Sequence, residues 1–161
     1  MNITVLAVGK IKEKYFTDAV KEYAKRLSRY CSLRLEEVPD EPVPEKAGEG
    51  IRRQILKKEG ERLQKVIDRD PGACVLALAI DAPSYDSEGF SGYLSELQVR
   101  GYSHLIFVIG GSIGLSPEIL DRADGRISFS RMTFPHQLMR VILLEQIYRA
   151  MRIARGEPYH K

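Results

Sequence analysis

Cysteine is scarce in this chain. Its 2 cysteines, Cys31 and Cys74, lie far apart and outside any C-x-x-C spacing. That argues against a zinc or disulfide framework and for buried thiols in a reducing cytoplasm. No metal is expected. No apolar run approaches the ~18 residues of a membrane-spanning helix, so no membrane partner is expected either. The start, Met1-Asn2-Ile3-Thr4-Val5, lacks the charged segment and cleavage site of a secretory leader and reads directly as a strand. Internal repeats and low-complexity tracts are absent. A dominant charge is missing too: the net charge of +3 is too small to announce nucleic-acid binding by itself.

What is present fits one compact domain spanning residues 1–161, with 43% hydrophobic and 29% charged residues. The charge is unevenly placed. Residues 71–125 carry a net −5 and residues 126–161 a net +5. Basic charge gathered on one helix and an aromatic tail is the footprint of phosphate contact, hence of a polyanionic partner. The competing reading is a solvated helix face holding an i,i+4 pair, Glu145 with Arg149.

Periodicity predicts strict alternation of strands and helices. Asn2–Val8 reads as an apolar strand and Tyr15–Tyr30 as an amphipathic helix. Ser32–Val38 alternates like an edge strand, and the proline-punctuated segment Pro39–Pro44 reads as a mobile loop. Ala47–Asp68 reads as a charged helix with Ile51, Ile55, Leu56, Leu63, Val66 and Ile67 inward. Gly60 looks like a weak point within it. Cys74–Ile80 and His104–Ile109 are continuous apolar runs, the mark of strands covered on both faces. Ser87–Val99 is a helix between them. Ser116 and Pro117 are a helix cap and first turn, Gly125–Phe129 a short strand, and Pro135 to about Arg155 a final helix. The fold class is α/β, a mostly parallel sheet with helices on both faces.

Two loops concentrate the chemistry: Gly110-Gly111-Ser112-Ile113-Gly114 after one central strand, and Phe129-Ser130-Arg131-Met132-Thr133-Phe134 after the last. Loops leaving strand ends are how an open α/β sheet builds a small-molecule pocket. The first loop misses the dinucleotide fingerprint, because Ile109 occupies its opening position, and it lacks the G-K-[ST] of a phosphate loop. It does match G-x-S-x-G, the nucleophile elbow of a serine hydrolase. Asp121 or Asp124 and His136 or His160 then follow in the required order. Against that reading, Leu115-Ser116-Pro117 delays the helix that an elbow enters at once, and the chain is short for such an enzyme. Close approach of backbone to a ligand accounts for three glycines in five residues better than a simple turn.

The histidines divide. His104 opens a strand and reads as structural. His136 stands at a helix N-terminus, where the dipole disfavours imidazolium, and reads either as a substrate contact or as a local cap. His160 sits with Tyr159 and Lys161 in a terminal segment suited to stacking on an unpaired base and touching its phosphates.

Taken together, Gly110-Gly111-Ser112-Ile113-Gly114-Leu115-Ser116, Ser130-Arg131-Met132-Thr133-Phe134-Pro135-His136, Arg140, Glu145-Gln146-Ile147-Tyr148-Arg149-Ala150 and Pro158-Tyr159-His160 closely resemble the ribosomal RNA large subunit methyltransferase H family, and the likeness covers the whole chain. Some members carry Pro-Glu where this chain has Ser112-Ile113. The resemblance implies a SPOUT-type fold whose C-terminal part is tied in a deep trefoil knot, and a homodimer. It implies methylation of N3 of a pseudouridine in the helix 69 loop of 23S rRNA, with S-adenosyl-L-methionine as cofactor. Carried over by position, the cofactor contacts fall at Leu78, Gly110, Phe129, Ser130, Arg131, Met132, Thr133 and Phe134. The apolar residues Leu138, Val141, Ile142, Leu144, Ile147 and Met151 exceed what one small sheet needs, which agrees with a dimer.

The implied chemistry aligns an activated methyl group with its acceptor and helps the imide lose its proton. No carboxylate pair stands out as the base, which leaves His136, Arg140, Tyr159 and His160 as catalytic candidates. The alternatives are the serine hydrolase and a non-catalytic RNA-binding module.

Overall fold

The computed structural model describes residues 1–161. Its elements run β1 (Asn2–Val8), α1 (Lys14–Leu27), β2 (Ser32–Val38), α2 (Glu49–Ile67), β3 (Cys74–Leu78), α3 (Ser87–Val99), β4 (His104–Ile109), α4 (Pro117–Arg122), β5 (Gly125–Ile127) and α5 (His136–Ala154). The five strands form one sheet in the order β2-β1-β4-β3-β5. Every pairing is parallel, with Val5 set against both Leu35 and Phe107. The continuous apolar runs of β1, β3 and β4 occupy the interior of the sheet, and the alternating β2 lies at an edge, as their patterns require.

Each face of the sheet carries its own core. On one side α1, α3 and α5 cover Ile3, Val5, Leu76, Leu105 and Phe107, with α5 packed between the other two helices. On the other, α2 and α4 cover Leu6, Val8, Val75, Ile106 and Val108. Cys74 is buried in β3 and Cys31 is half-buried, both as free thiols. His104 is structural, its ring held between Thr4 Oγ1 at 2.8 Å and Asp70 Oδ2 at 2.7 Å. The caps follow the sequence: Ser116 Oγ accepts from the Ile119 N–H, with Pro117 next to it.

Five expectations change. β3 ends at Leu78 rather than Ile80 and β5 at Ile127 rather than Phe129, because both chains leave the ladder to form the wall of a cleft. Ile51 is exposed, since α2 overhangs the sheet at its first turn. The Pro39–Pro44 segment is tied down on α2: Arg62 donates to the Pro39 carbonyl (2.8 Å) and Glu59 accepts from the Glu41 N–H (2.9 Å). Gly60 is no weak point but a contact, since a Cβ there would sit 2.6 Å from Ser116 Oγ.

Gly60→Ala sets helix propensity against packing. Alanine gains about 1 kcal/mol in the helix. Overpacking against α4 costs about 1–3 kcal/mol, and loss of the Ser116 cap about 1 kcal/mol more. Denaturant unfolding should therefore show a net loss of about 1–3 kcal/mol; a stabilised variant would mean that α4 shifts freely.

Candidate active site

The parallel sheet sends the loops after β3, β4 and β5 to one edge, where they enclose a cleft of about 730 Å³. The β4 loop closes on itself. Gly111 and Gly114 face each other, and the Gly114 N–H donates to the Gly111 carbonyl at 3.1 Å. Gly114 has φ +87°, and a Cβ on Gly110 would run into the Gly114 carbonyl. These glycines serve the loop's own closure first, which corrects the expectation that ligand approach demands them.

The β5 loop is held by serines. Ser128 Oγ lies 2.9 Å from the Ile80 carbonyl oxygen, and Ser130 Oγ accepts from the Met132 N–H at 2.9 Å. Phe129 meets Phe90 edge-on. The N–H groups of Arg131, Thr133 and Phe134 bond to no backbone carbonyl, so this stretch keeps free main-chain groups beside the cleft. Of the expected cofactor contacts, Leu78, Gly110, Phe129, Ser130, Met132, Thr133 and Phe134 line the cleft, whereas Arg131 is exposed beside it. No carboxylate lines it. Its one permanently charged side chain is Arg52 of α2, which sequence reading missed, although Arg52, Ile55 and Glu59 share one helical stripe.

His136 reaches the cleft from the first turn of α5. Burial holds its imidazole pKa below the ordinary value; the nearby Arg140 and Lys12 push the same way, and Asp40 opposes. The neutral ring, able to accept or donate a hydrogen bond, is therefore favoured. Arg140, one turn on, is outside the cleft lining. It is buried, paired with Glu37, and donates to the Gly9 carbonyl at 2.7 Å. That geometry corrects its candidacy as a direct substrate contact: Arg140 braces the end of β1 against α5.

The terminal segment is folded back on α5. Tyr159 donates to Glu145 (3.1 Å), packs edge-on against Tyr148 and lies under Arg149, while His160 Nδ1 is 3.1 Å from the Arg149 guanidinium. These partners stand 9 or more residues beyond His136, roughly 14 Å or more along the helix at 1.5 Å per residue. His160 lines a second hollow of about 630 Å³, which shares Phe129 and Phe134 with the cleft. The structure thus groups His136 with the cleft loops and sets Tyr159 and His160 apart, behind the phenylalanine wall. Much of the basic charge on α5 is also consumed within the chain, by Arg140 with Glu37, Arg149 with Glu145 and Arg152 with Glu157.

A serine hydrolase does not fit. Ser112 is exposed and hydrogen-bonds no histidine, and α4 begins 5 residues later. Asp124 is committed to the Val75 N–H and Asp121 to Arg126.

Parallel strands whose carboxyl-end loops enclose a cleft make an α/β architecture with a ligand-sized site, and residues 1–160 match the family model for predicted SPOUT methyltransferases. The chain belongs to that family. Within it, the chain groups with the ribosomal RNA large subunit methyltransferase H proteins. It is 58% identical to that of Bifidobacterium adolescentis and 53% to that of Clostridium acetobutylicum, over 100% of each chain. Among solved structures it is similar to a probable methyltransferase of Bordetella pertussis Tohama I (TM-score 0.56, 11% identity, covering 92% of this chain and 95% of that one). A probable methylase family protein of Haemophilus influenzae Rd KW20 is similar too (TM-score 0.55, 11% identity, covering 99% and 70%).

Because His136 is depressed in the fold, its neutral form is the one that folding favours. Its contribution to stability is present above the unfolded value and is lost as pH falls through the folded one. An NMR titration should place the His136 ring below the ordinary histidine midpoint, and His136→Gln should lose less stability than wild type on acidification. A midpoint above the ordinary value would overturn the burial argument.

Proposed function

We propose that the chain methylates N3 of a pseudouridine in the helix 69 loop of 23S rRNA, using S-adenosyl-L-methionine. The observation that carries the reading is the cleft: free main-chain N–H groups in the Phe129–Phe134 loop opposite the Gly110–Gly114 loop, with no carboxylate in the lining. Its volume of about 730 Å³ suits a cofactor of nucleoside size, and main-chain groups can read a heterocycle edge without charged side chains. When bound, the cofactor supplies the activated methyl group.

This chain's residues do the rest. Leu78, Gly110 and the Phe129–Phe134 loop hold and orient the cofactor, with Phe129 and Phe134 excluding water. Neutral His136 hydrogen-bonds the acceptor base and carries its N3 proton away. Arg140 keeps His136 and Gly9 in place rather than touching substrate. Tyr159 and His160 engage the splayed base or its phosphates.

Their distance from His136 within one chain favours a homodimer in which a partner subunit brings its tail to the cleft. Exposed Ile80, Tyr85 and Met132, with half-buried Leu138 and Ile142, offer an apolar surface for it. On this reading residues 1–161 act as one methyltransferase domain in the cytoplasm, with the chain from β4 to α5 tied in the family's trefoil knot.

Two measurements test it. Calorimetry should show S-adenosyl-L-methionine binding, and mass spectrometry should show one methyl group missing from 23S rRNA in a strain without the protein. Normal methylation in that strain would sink the proposal. Ser112→Ala should keep full activity, whereas a covalent Ser112 adduct with a fluorophosphonate probe would restore the hydrolase. Removing His160 and Lys161 should leave cofactor affinity unchanged while methyl transfer to ribosomes collapses; a wild-type rate would reduce the tail to a structural strap.

A further inference from the structure

Glu59 is the least explained group in the molecule. It lies on the inner face of α2, is 4% exposed, and accepts from the Glu41 N–H through Oε2 at 2.9 Å. Its other oxygen, Oε1, is buried and has no hydrogen-bond partner. The carboxylate lies against the cleft loop: a Cβ built on Gly111 would sit 3.4 Å from Oε1, 3.5 Å from Oε2 and 3.1 Å from Val8 Cγ1.

The other contact leads to the rim. Arg62 donates to the Pro39 carbonyl at 2.8 Å and to Glu41 Oε1 at 3.0 Å. Glu59 and Arg62 therefore grip the chain on both sides of Asp40. Asp40 is thereby carried over Gly9 beside His136: a Cβ on Gly9 would lie 3.7 Å from Asp40 Cγ and 3.9 Å from His136 Nε2. Burying a carboxylate with half its acceptor capacity unused is unfavourable, and an apolar residue of similar size would serve simple packing better. Burial also pushes the Glu59 carboxyl above its usual range, against the Glu41 N–H and Arg62.

We propose that Glu59 is a positioning residue for methyl transfer, the shared support that holds the cofactor loop Gly110–Gly114 and the rim segment Pro39–Glu41 in one register. The role rests on the reading of the cleft as the S-adenosyl-L-methionine site. It couples a residue outside the cleft, Glu41, to occupancy inside it. A group that merely stabilised the fold would show no such coupling.

The test begins with hydrogen exchange of the wild-type protein. Saturation with S-adenosyl-L-methionine should slow exchange of the Glu41 amide, although Glu41 does not line the cleft. Glu59→Leu should weaken cofactor binding by calorimetry and lower kcat about a hundredfold, the scale expected for small misplacement of reacting groups. Its melting temperature should stay above that of the assay. Glu59→Gln, which keeps an acceptor for the Glu41 N–H, should restore both. Wild-type affinity and kcat in Glu59→Leu overturn the role. So does Glu41 exchange indifferent to the cofactor, which decides the matter even if the leucine variant does not fold. A wild-type protein that binds no S-adenosyl-L-methionine overturns the underlying reading, and the role with it.

Discussion

Parallel pairing of all five strands is the constraint from which the remaining architecture follows. A parallel neighbour can be reached only by a crossover, so every strand must be followed by a helix or a long return. The carboxyl ends of β3, β4 and β5 then open on one edge of the sheet. Three segments that are far apart in sequence meet there without any long-range signal of their own. The buried ladder also makes those ends rigid, because β3 and β4 are sealed on both faces by separate cores. Loops rooted in such strands can keep unpaired main-chain groups at fixed positions, which a site reading a ligand through its backbone requires.

This explains how much was legible in the sequence. The apolar runs of β1, β3 and β4 could be nothing but interior strands, and their spacing left room only for crossover helices. The β5 loop was legible as chemistry because serine, threonine and phenylalanine sit where a strand should end. The wrong readings share one cause. Gly60 and Gly110 were judged by what glycine does to a helix or offers to a ligand, whereas Ser116 of α4 sets the first across the fold and Gly114, four residues on in the same loop, sets the second. Arg140 was judged by its charge. Only the fold reveals that Glu37 and the Gly9 carbonyl absorb it. Contacts of that kind are tertiary, and no local pattern encodes them.

The same logic revises the electrostatics. A net +5 over residues 126–161 looked like a surface for phosphates. Ion pairs and aromatic rings within the chain occupy much of it: Arg149 covers Tyr159 at 4.7 Å and Arg155 covers Tyr30 at 4.6 Å. Such stacking consumes the guanidinium faces but not their charge. Arg155, exposed and in no ion pair, therefore keeps a charge that attracts a polyanion at long range, screened over about 10 Å at 0.1 M salt. Tight contact must come from elsewhere: Arg52 lines the cleft, and Lys12, exposed after β1, lies close enough to His136 to depress it.

A cleft without carboxylates is the last piece to place. A sulfonium ligand is cationic, and a lining acid would hold it more firmly in the ground state than in a transition state where the charge is dispersing. A neutral imidazole and main-chain dipoles make no such error. The one acid beneath the cleft, Glu59, has an oxygen with no partner and is separated from the lining by Gly111. The arrangement places the buried carboxyl directly behind the cleft loop and outside the cleft lining. Glycine at position 111 keeps that separation thin, because a Cβ there would press on Val8 Cγ1 at 3.1 Å and touch the carboxylate at 3.4 Å.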